Sequence, residues 1–533
     1  MKKLLFIEIL VAVLFLGFLV VSVGMLTSSI HSMNTNSSHL QTNGPTGDRL
    51  RLNMGDLQGD FSPLVYQGEA QENLLSLCFD NLLSRDEAGR VEETGERPWK
   101  KDEMTFAHIA CRKGQQGAYI TINVNPDIRT PDGKKITVRD IIFNFYLRLD
   151  ASSGLSDIFA GTEIEGAKAF SYGSNDIAAR DREIASLLSA PSEELKKKIQ
   201  EEIIIPELQR EYLWVQGLYQ DDKYQFITSK YTKPKDLFAY YYAYQTTYQS
   251  GSRTENQVME DIVAQYGANY IALGKVTERD YSGQVKRMAL GEILRQDGKD
   301  TVSSISGIRQ LDDHTVEIHV ISGENIVEKI CDFWVLPIAV YGSEKLYDGE
   351  KCFGYQKGQA EKIVSLAQEK FRGTGPYYMS RNNQSRIYLK KNPCYRKKVM
   401  TGRVDVNRNN YEQPEKLVNQ LLLGKLDMAV AKEDEKLEKL LKNQATGAAY
   451  LIKKVKMESD NLEECILYRT DCVNATTFPA KKQTIRGVFH EFYKVKLNPP
   501  LSAISPSTAL CCGEISYKVK NRGGYSSPVR DRQ

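Results

Sequence analysis

The chain contains no Cys-x-x-Cys, no His-Glu-x-x-His, no Gly-x-Ser-x-Gly and no phosphate-binding glycine loop. Those absences remove the usual sequence signs of a structural zinc site or redox pair, a zinc protease, an α/β-hydrolase and a P-loop nucleotidase. Histidine is scarce, six in 533 residues, and scattered, with His314 and His319 in an expected hairpin. No enzyme activity, metal or cofactor is expected. Charge of one sign is lacking too: 71 basic against 68 acidic residues leave a net +3, which gives no general pull toward nucleic acid. Nine cysteines, an odd number at irregular spacing, argue against a disulfide framework. Cys465–Cys472 is the nearest candidate bridge, and most of the others are expected as small buried apolar residues.

Apolar residues make up 41% of the chain and charged ones 26%, a balance suited to a packed body of more than one domain. Lys2 and Lys3 precede an apolar run from Leu4 to Leu26. That run is long enough to span a bilayer as a helix, and the lysines place the N-terminus inside and the body outside. An uncleaved anchor over residues 1–30 and a secreted product cut near Gly24 are both open. No cysteine follows the run, so a lipid anchor is excluded, and residues 31–48, rich in Ser, Asn, Thr and Gly, read as a flexible linker.

Further along, Arg49 to Asn53 alternates as a half-buried strand, and Glu72 to Leu83 carries a helical apolar face. Thr137 caps a helix with Asp140 reaching back from the third position. Asp312-Asp313 turns a hairpin between alternating strands. Residues 171–303 read as mostly helical, with Pro206 interrupting one helix. Tyr240, Tyr241, Tyr242, Tyr244 and Tyr248 in that stretch are read as packing, with a gripping surface as the alternative. Gly373-Thr374-Gly375-Pro376 forms a corner, with permissive backbone at the glycines, followed by strands Tyr377–Ser380 and Ile387–Lys390 around a polar loop. The basic run Arg386 to Lys398, interleaved with Tyr388 and Tyr395, reads as a solvated hairpin face. Val404 to Asn407 reads as a strand, and Glu415 to Leu423 as a helix closed by Gly424.

The corner, the hairpin and then Leu389-Lys390-Lys391-Asn392-Pro393-Cys394-Tyr395 resemble the signature of the family 5 extracellular solute-binding proteins, receptors for oligopeptides, dipeptides or nickel in ABC importers. The opening is similar as well: a first strand, Pro63-Leu64, a helix ending Phe79-Asp80-Asn81-Leu82-Leu83, then Asp86-x-x-Gly89. The family usually places an aromatic residue where Arg396 stands. The resemblance runs from about Arg49 to Arg486 except over residues 171–303, which it marks as a helical insert because the family's segment like Glu165–Phe170 leads within a few residues into a strand like that at Ile305–Ile318. This gives lobe segments at 49–170 and 304–486 and an unassigned tail at 487–533.

It implies a mixed α/β lobe of the type II periplasmic-binding-protein kind, which binds a peptide or other small solute and delivers it to ABC permease subunits. Tyr66, Gln67, Gly68 and Glu69 match the loop that lines the family's cleft, although a carboxylate commonly stands where Gln67 does. Family members continue for roughly two hundred residues into a second lobe. One wall alone is therefore expected here, with weak or absent solute binding. The alternative is a membrane-tethered scaffold or sensor that binds a protein partner.

Overall fold

The computed structural model describes residues 49–469, except 56, 58–60, 67, 85–90, 92–94, 96, 101–102, 104, 156–158, 160, 220–223, 246, 297, 384, 397–398, 400, 409–413, 433–434, 443–451 and 459–463, together with 516–518. The apolar run Leu4–Leu26, the linker, Cys472, Cys511, Cys512 and nearly all of the tail lie outside the described residues. Among the described residues, no helix is long and apolar enough to cross a membrane.

In chain order the strands are β1 (Arg49–Asn53), β2 (Ala107–Lys113), β3 (Ala118–Val124), β4 (Thr162–Ile164), β5 (Ile308–Gln310), β6 (Thr315–Gly323), β7 (Tyr377–Asn382), β8 (Arg386–Lys391), β9 (Arg403–Asn407), β10 (Met428–Lys432), β11 (Ile452–Glu458), β12 (Glu464–Arg469) and β13 (Ser516–Lys518). They form two sheets, one ordered β13-β11-β12-β10-β1-β9-β8-β7 and one ordered β2-β3-β6-β4, with β5 also on β6. The fold is mixed α/β. β1 is central and parallel to both β9 and β10, whereas β7, β8 and β9 pair antiparallel.

Strand alternation decides where the core lies. Leu50, Leu52, Val404, Val406, Ile387 and Leu389 share one face of the larger sheet. They join Ile120, Ile122, Val316 and Ile318 of the smaller sheet in one apolar core. The helix Val138–Leu149 sits in that core, with eleven of its twelve residues buried. A smaller cluster forms where the helices Pro414–Leu422 and Glu435–Lys442 cover β10 and β12.

Between β4 and β5, the described residues are helical, with no strand, and hold a separate apolar cluster including Ile199, Leu208, Phe238 and Ile262. Tyr242 is buried there and Tyr241 packs against it, whereas Tyr240 and Tyr244 are exposed. Pro206 does not interrupt its helix. The segment Gln200–Ile204 is π-helical and runs directly into Ile205–Leu218 with Pro206 in the first turn. Proline's missing donor and its clash with the carbonyl four residues back are accommodated by the wider turn. The base of this excursion is tied together. Thr301 N–H donates to Gly173 O at 2.9 Å, and Lys357 Nζ donates to Phe170 O, Asp300 Oδ1 and Val302 O.

Two further expectations need correction. The helix expected over Glu72–Leu83 spans Gly68–Cys78 instead. Gly375 N–H takes up the Cys78 carbonyl and Val335 N–H that of Asp80, so the following residues run extended. Cysteines are less uniformly buried than expected: Cys78, Cys331 and Cys465 are buried, Cys352 and Cys394 partly so, and Cys111 is exposed.

Candidate functional site

The corner is held by close approach. Neither Gly373 nor Gly375 has a positive φ. A Cβ on Gly373 would lie 2.4 Å from the Phe79 ring and 2.5 Å from Cys78 O, and one on Gly375 would lie 2.6–2.8 Å from the backbone of Leu77, Cys78 and Phe79. The glycines are thus required because the corner lies flat on the end of the Gly68–Cys78 helix, a different reason from the backbone freedom expected. Asn392 fastens the other side: its Nδ2 donates to Gly375 O at 2.9 Å, and its N–H to Pro376 O at 2.8 Å.

Asp80 is the junction. Thr374 Oγ1 donates to its Oδ2 at 2.7 Å, and Arg396 grips both carboxylate oxygens at 2.8 and 2.7 Å. The Arg396 and Asp80 side chains are only 10% and 13% exposed. The residue that departs from the family's aromatic is therefore one half of a nearly buried, bidentate ion pair.

A second polar device ties the helix Val138–Leu149 to the segment Trp334–Ile338. Asp140, Asn144 and Arg148, four residues apart, line one stripe of their helix. Asp140 Oδ1 accepts from Ile338 N–H at 2.8 Å, and its Oδ2 from Thr137 N–H at 2.8 Å, so the expected cap also holds a distant segment. Asn144 exchanges hydrogen bonds with both backbone groups of Leu336, and Arg148 Nη2 donates to Trp334 O at 2.8 Å. Burial pushes the Asp140 carboxyl up to about 6 despite those donors. Arg148 is pulled down to about 9 by burial, against the opposing influence of the nearby Tyr66 phenol. Its guanidinium otherwise meets neutral groups: the Asn144 side-chain and backbone oxygens, and the Phe333 ring at 4.3 Å.

Of the expected wall residues, Tyr66 is 40% exposed beside an equally open Val65. Ser62 shapes this loop, its Oγ accepting from Leu64 and Val65 N–H. Gly68 and Glu69 open the Gly68–Cys78 helix, and Gln67 and the Glu69 side chain lie outside the described residues. Sequence reasoning missed an open pocket of about 340 Å³ elsewhere, lined by Ile142, Tyr146, Ile305, Tyr347, Glu350 and Phe353. Tyr146 stacks on Phe353 there at 3.6 Å. Aromatic spacing along the helix was the available signal, and it reads equally as core. Among the described residues, no group of three or more His, Cys, Asp or Glu is placed to hold a metal ion.

No protein-family model matches the chain, and no curated protein matches it by sequence. Among solved structures it is similar to NikZ from Campylobacter jejuni in complex with Ni(L-His), at 13% identity and a TM-score of 0.37 over 77% of this chain and 48% of that one. It is similar to the oligopeptide-binding protein AppA from Bacillus subtilis in complex with a nonapeptide, at 10% identity and a TM-score of 0.37, covering 77% and 48%. It is also similar to lactococcal OppA complexed with an endogenous peptide, at 12% identity and a TM-score of 0.39, covering 77% and 49%. The chain spans about half the length of each of these structures.

Proposed function

We propose that the chain is a solute-receptor lobe held on the outer face of a membrane, which presents one wall of a peptide-binding cleft and hands its solute to a permease. One observation carries the reading. Motifs far apart in sequence, Phe79-Asp80-Asn81, Gly373–Pro376 and Asn392–Arg396, meet at Asp80, and Phe371 just before that corner packs edge-on against both Phe79 and Phe61, the residue at the foot of the Tyr66 loop. A scaffold needs no such bracing of a loop whose tip, Val65-Tyr66, is open to solvent. Tyr66 supplies an aromatic face and a hydroxyl to that wall, and Gln67 and Glu69 supply polar groups by sequence.

A second wall closing over this one removes water from the solute's other side and strengthens binding by several kcal/mol. Equilibrium dialysis of the full chain against mixed short peptides, read by mass spectrometry, tests the assignment. Retention that disappears in Tyr66→Ala supports it. No peptide retained, with a protein partner surviving gel filtration, overturns it in favour of the scaffold.

A further inference from the structure

We propose that the cationic patch over β1, β9 and β8, on the side of the larger sheet away from the main core and beside the helices that cover β10 and β12, rests against an anionic phospholipid surface. The alternation that sends Leu50, Val404 and Leu389 inward sends Arg49, Arg403 and Lys390 to the other side. Cross-strand register then sets these three cations in one row, since Arg49 pairs with Arg403 and Arg403 with Lys390. Like charges directly opposite one another on a sheet are unfavourable.

Asp405, buried beneath, relieves part of this, because Arg49 pairs with it and Arg403 Nε donates to it at 2.7 Å. That leaves one carboxylate under two guanidiniums, and the neighbouring Arg51 is already consumed by Asp427. Arg386 and Lys425 line a cleft with Arg51, Asp405 and Asn407. Among the described residues, Arg386, Lys390 and Lys425 form no ion pair with a carboxylate within 4.0 Å. Arg403 and Arg381 lie 5.0 and 5.9 Å from the centre of the Tyr388 ring, so an aromatic sits among the cations. Here the basic, tyrosine-interleaved run of the sequence gains its neighbours from β1 and β9. Excess positive charge at this density calls for an external anion.

The partner follows from where the linker arrives. This inference rests on the reading of Leu4–Leu26 as a membrane anchor. Residues 27–48 then join the bilayer to Arg49, itself a member of the cationic row. A flexible linker of that length reaches roughly 25 Å, and four strands span roughly 15 Å, so the whole face lies within reach of the headgroups. Each cation brought to an anionic bilayer strengthens the contact by roughly fivefold.

The test uses the full chain on vesicles of phosphatidylcholine alone or mixed with phosphatidylglycerol, followed by flotation and amide hydrogen exchange. Flotation on both, with exchange in Tyr377–Lys391 slowed about tenfold or more on the anionic vesicles, is the expected result. That protection is lost in Arg386→Glu/Lys390→Glu, weakened in the Gln pair, and reversed by high salt. Flotation on anionic vesicles only removes the anchor and supports the face. Flotation on both with equal exchange overturns the face, as an acidic protein partner would require, and flotation on neither overturns both.

Discussion

Replacing Arg396 by alanine should be among the most damaging single changes near the candidate wall. The substitution removes two charge-assisted bonds at 2.7–2.8 Å and leaves the Asp80 carboxylate with the Thr374 hydroxyl as its remaining side-chain donor. Breaking a buried pair from one side costs about 3–5 kcal/mol. Asp80 retains 13% exposure, so some water can reach it and the lower end, about 3 kcal/mol, applies. That is on the order of a hundredfold in the folding equilibrium.

Urea unfolding followed by the fluorescence of buried Trp334, beside this junction, reads the change. Asp80→Ala and the double variant complete a cycle, and Arg396→Lys, which keeps the charge without the two-pronged grip, should fall between. A coupling energy below about 0.5 kcal/mol, or a loss under about 1 kcal/mol for Arg396→Ala, would refute the argument that the pair fastens the corner.

Gly375→Ala should lower stability by about 1–3 kcal/mol, since its Cβ meets backbone and not a side chain that can move; thermal unfolding checks this. His319 offers a pH test. Its Nδ1 faces Glu165 Oε2 at 2.8 Å and its Nε2 faces Gln116 O at 2.9 Å, and these partners, Glu165 foremost, raise its pKa above the ordinary 6.5. The stabilisation is thus fully present below about pH 6.5 and fades as pH rises through the higher folded value. The stability gap between wild type and His319→Gln should therefore shrink between about pH 5.5 and about pH 8. Lys357→Met should speed trypsin cleavage at Lys299, because the ammonium holds Phe170, Asp300 and Val302 together; an unchanged digestion pattern would count against that clamp.

Much of the local structure is legible in the sequence because its causes are local. Thr137 and Asp140 sit three residues apart and cap each other's turn. Asp312 Oδ1 accepts from His314 and Thr315 N–H, which is what an Asp-Asp turn invites. The corner's hairpin is where expected, although its strands extend through Asn382 and begin again at Arg386 because Asn383 closes the turn with its own side chain. What the sequence hides is long-range. Asp80 and Arg396 are 316 positions apart, and nothing local distinguishes this arginine from a solvated one. The row of Arg49, Arg403 and Lys390 depends on register between strands, and a slip of one residue would disperse it. The positions Tyr66 to Glu69 follow from resemblance alone, since no local pattern separates them from an ordinary surface loop.

The bond from Thr301 to Gly173 has a consequence for how this chain could have acquired its length. An excursion that leaves and returns at one point adds residues without adding topology: the parent sheet meets only a lengthened turn between β4 and β5. Closing a loop of that size costs roughly 3 kcal/mol more than closing a tight turn, an amount that an apolar cluster of the excursion's own readily offsets. Such a segment can be gained, exchanged or lost as a unit. Grafting a short turn across Gly173 and Thr301 should leave β4, β5 and β6 paired as they are now.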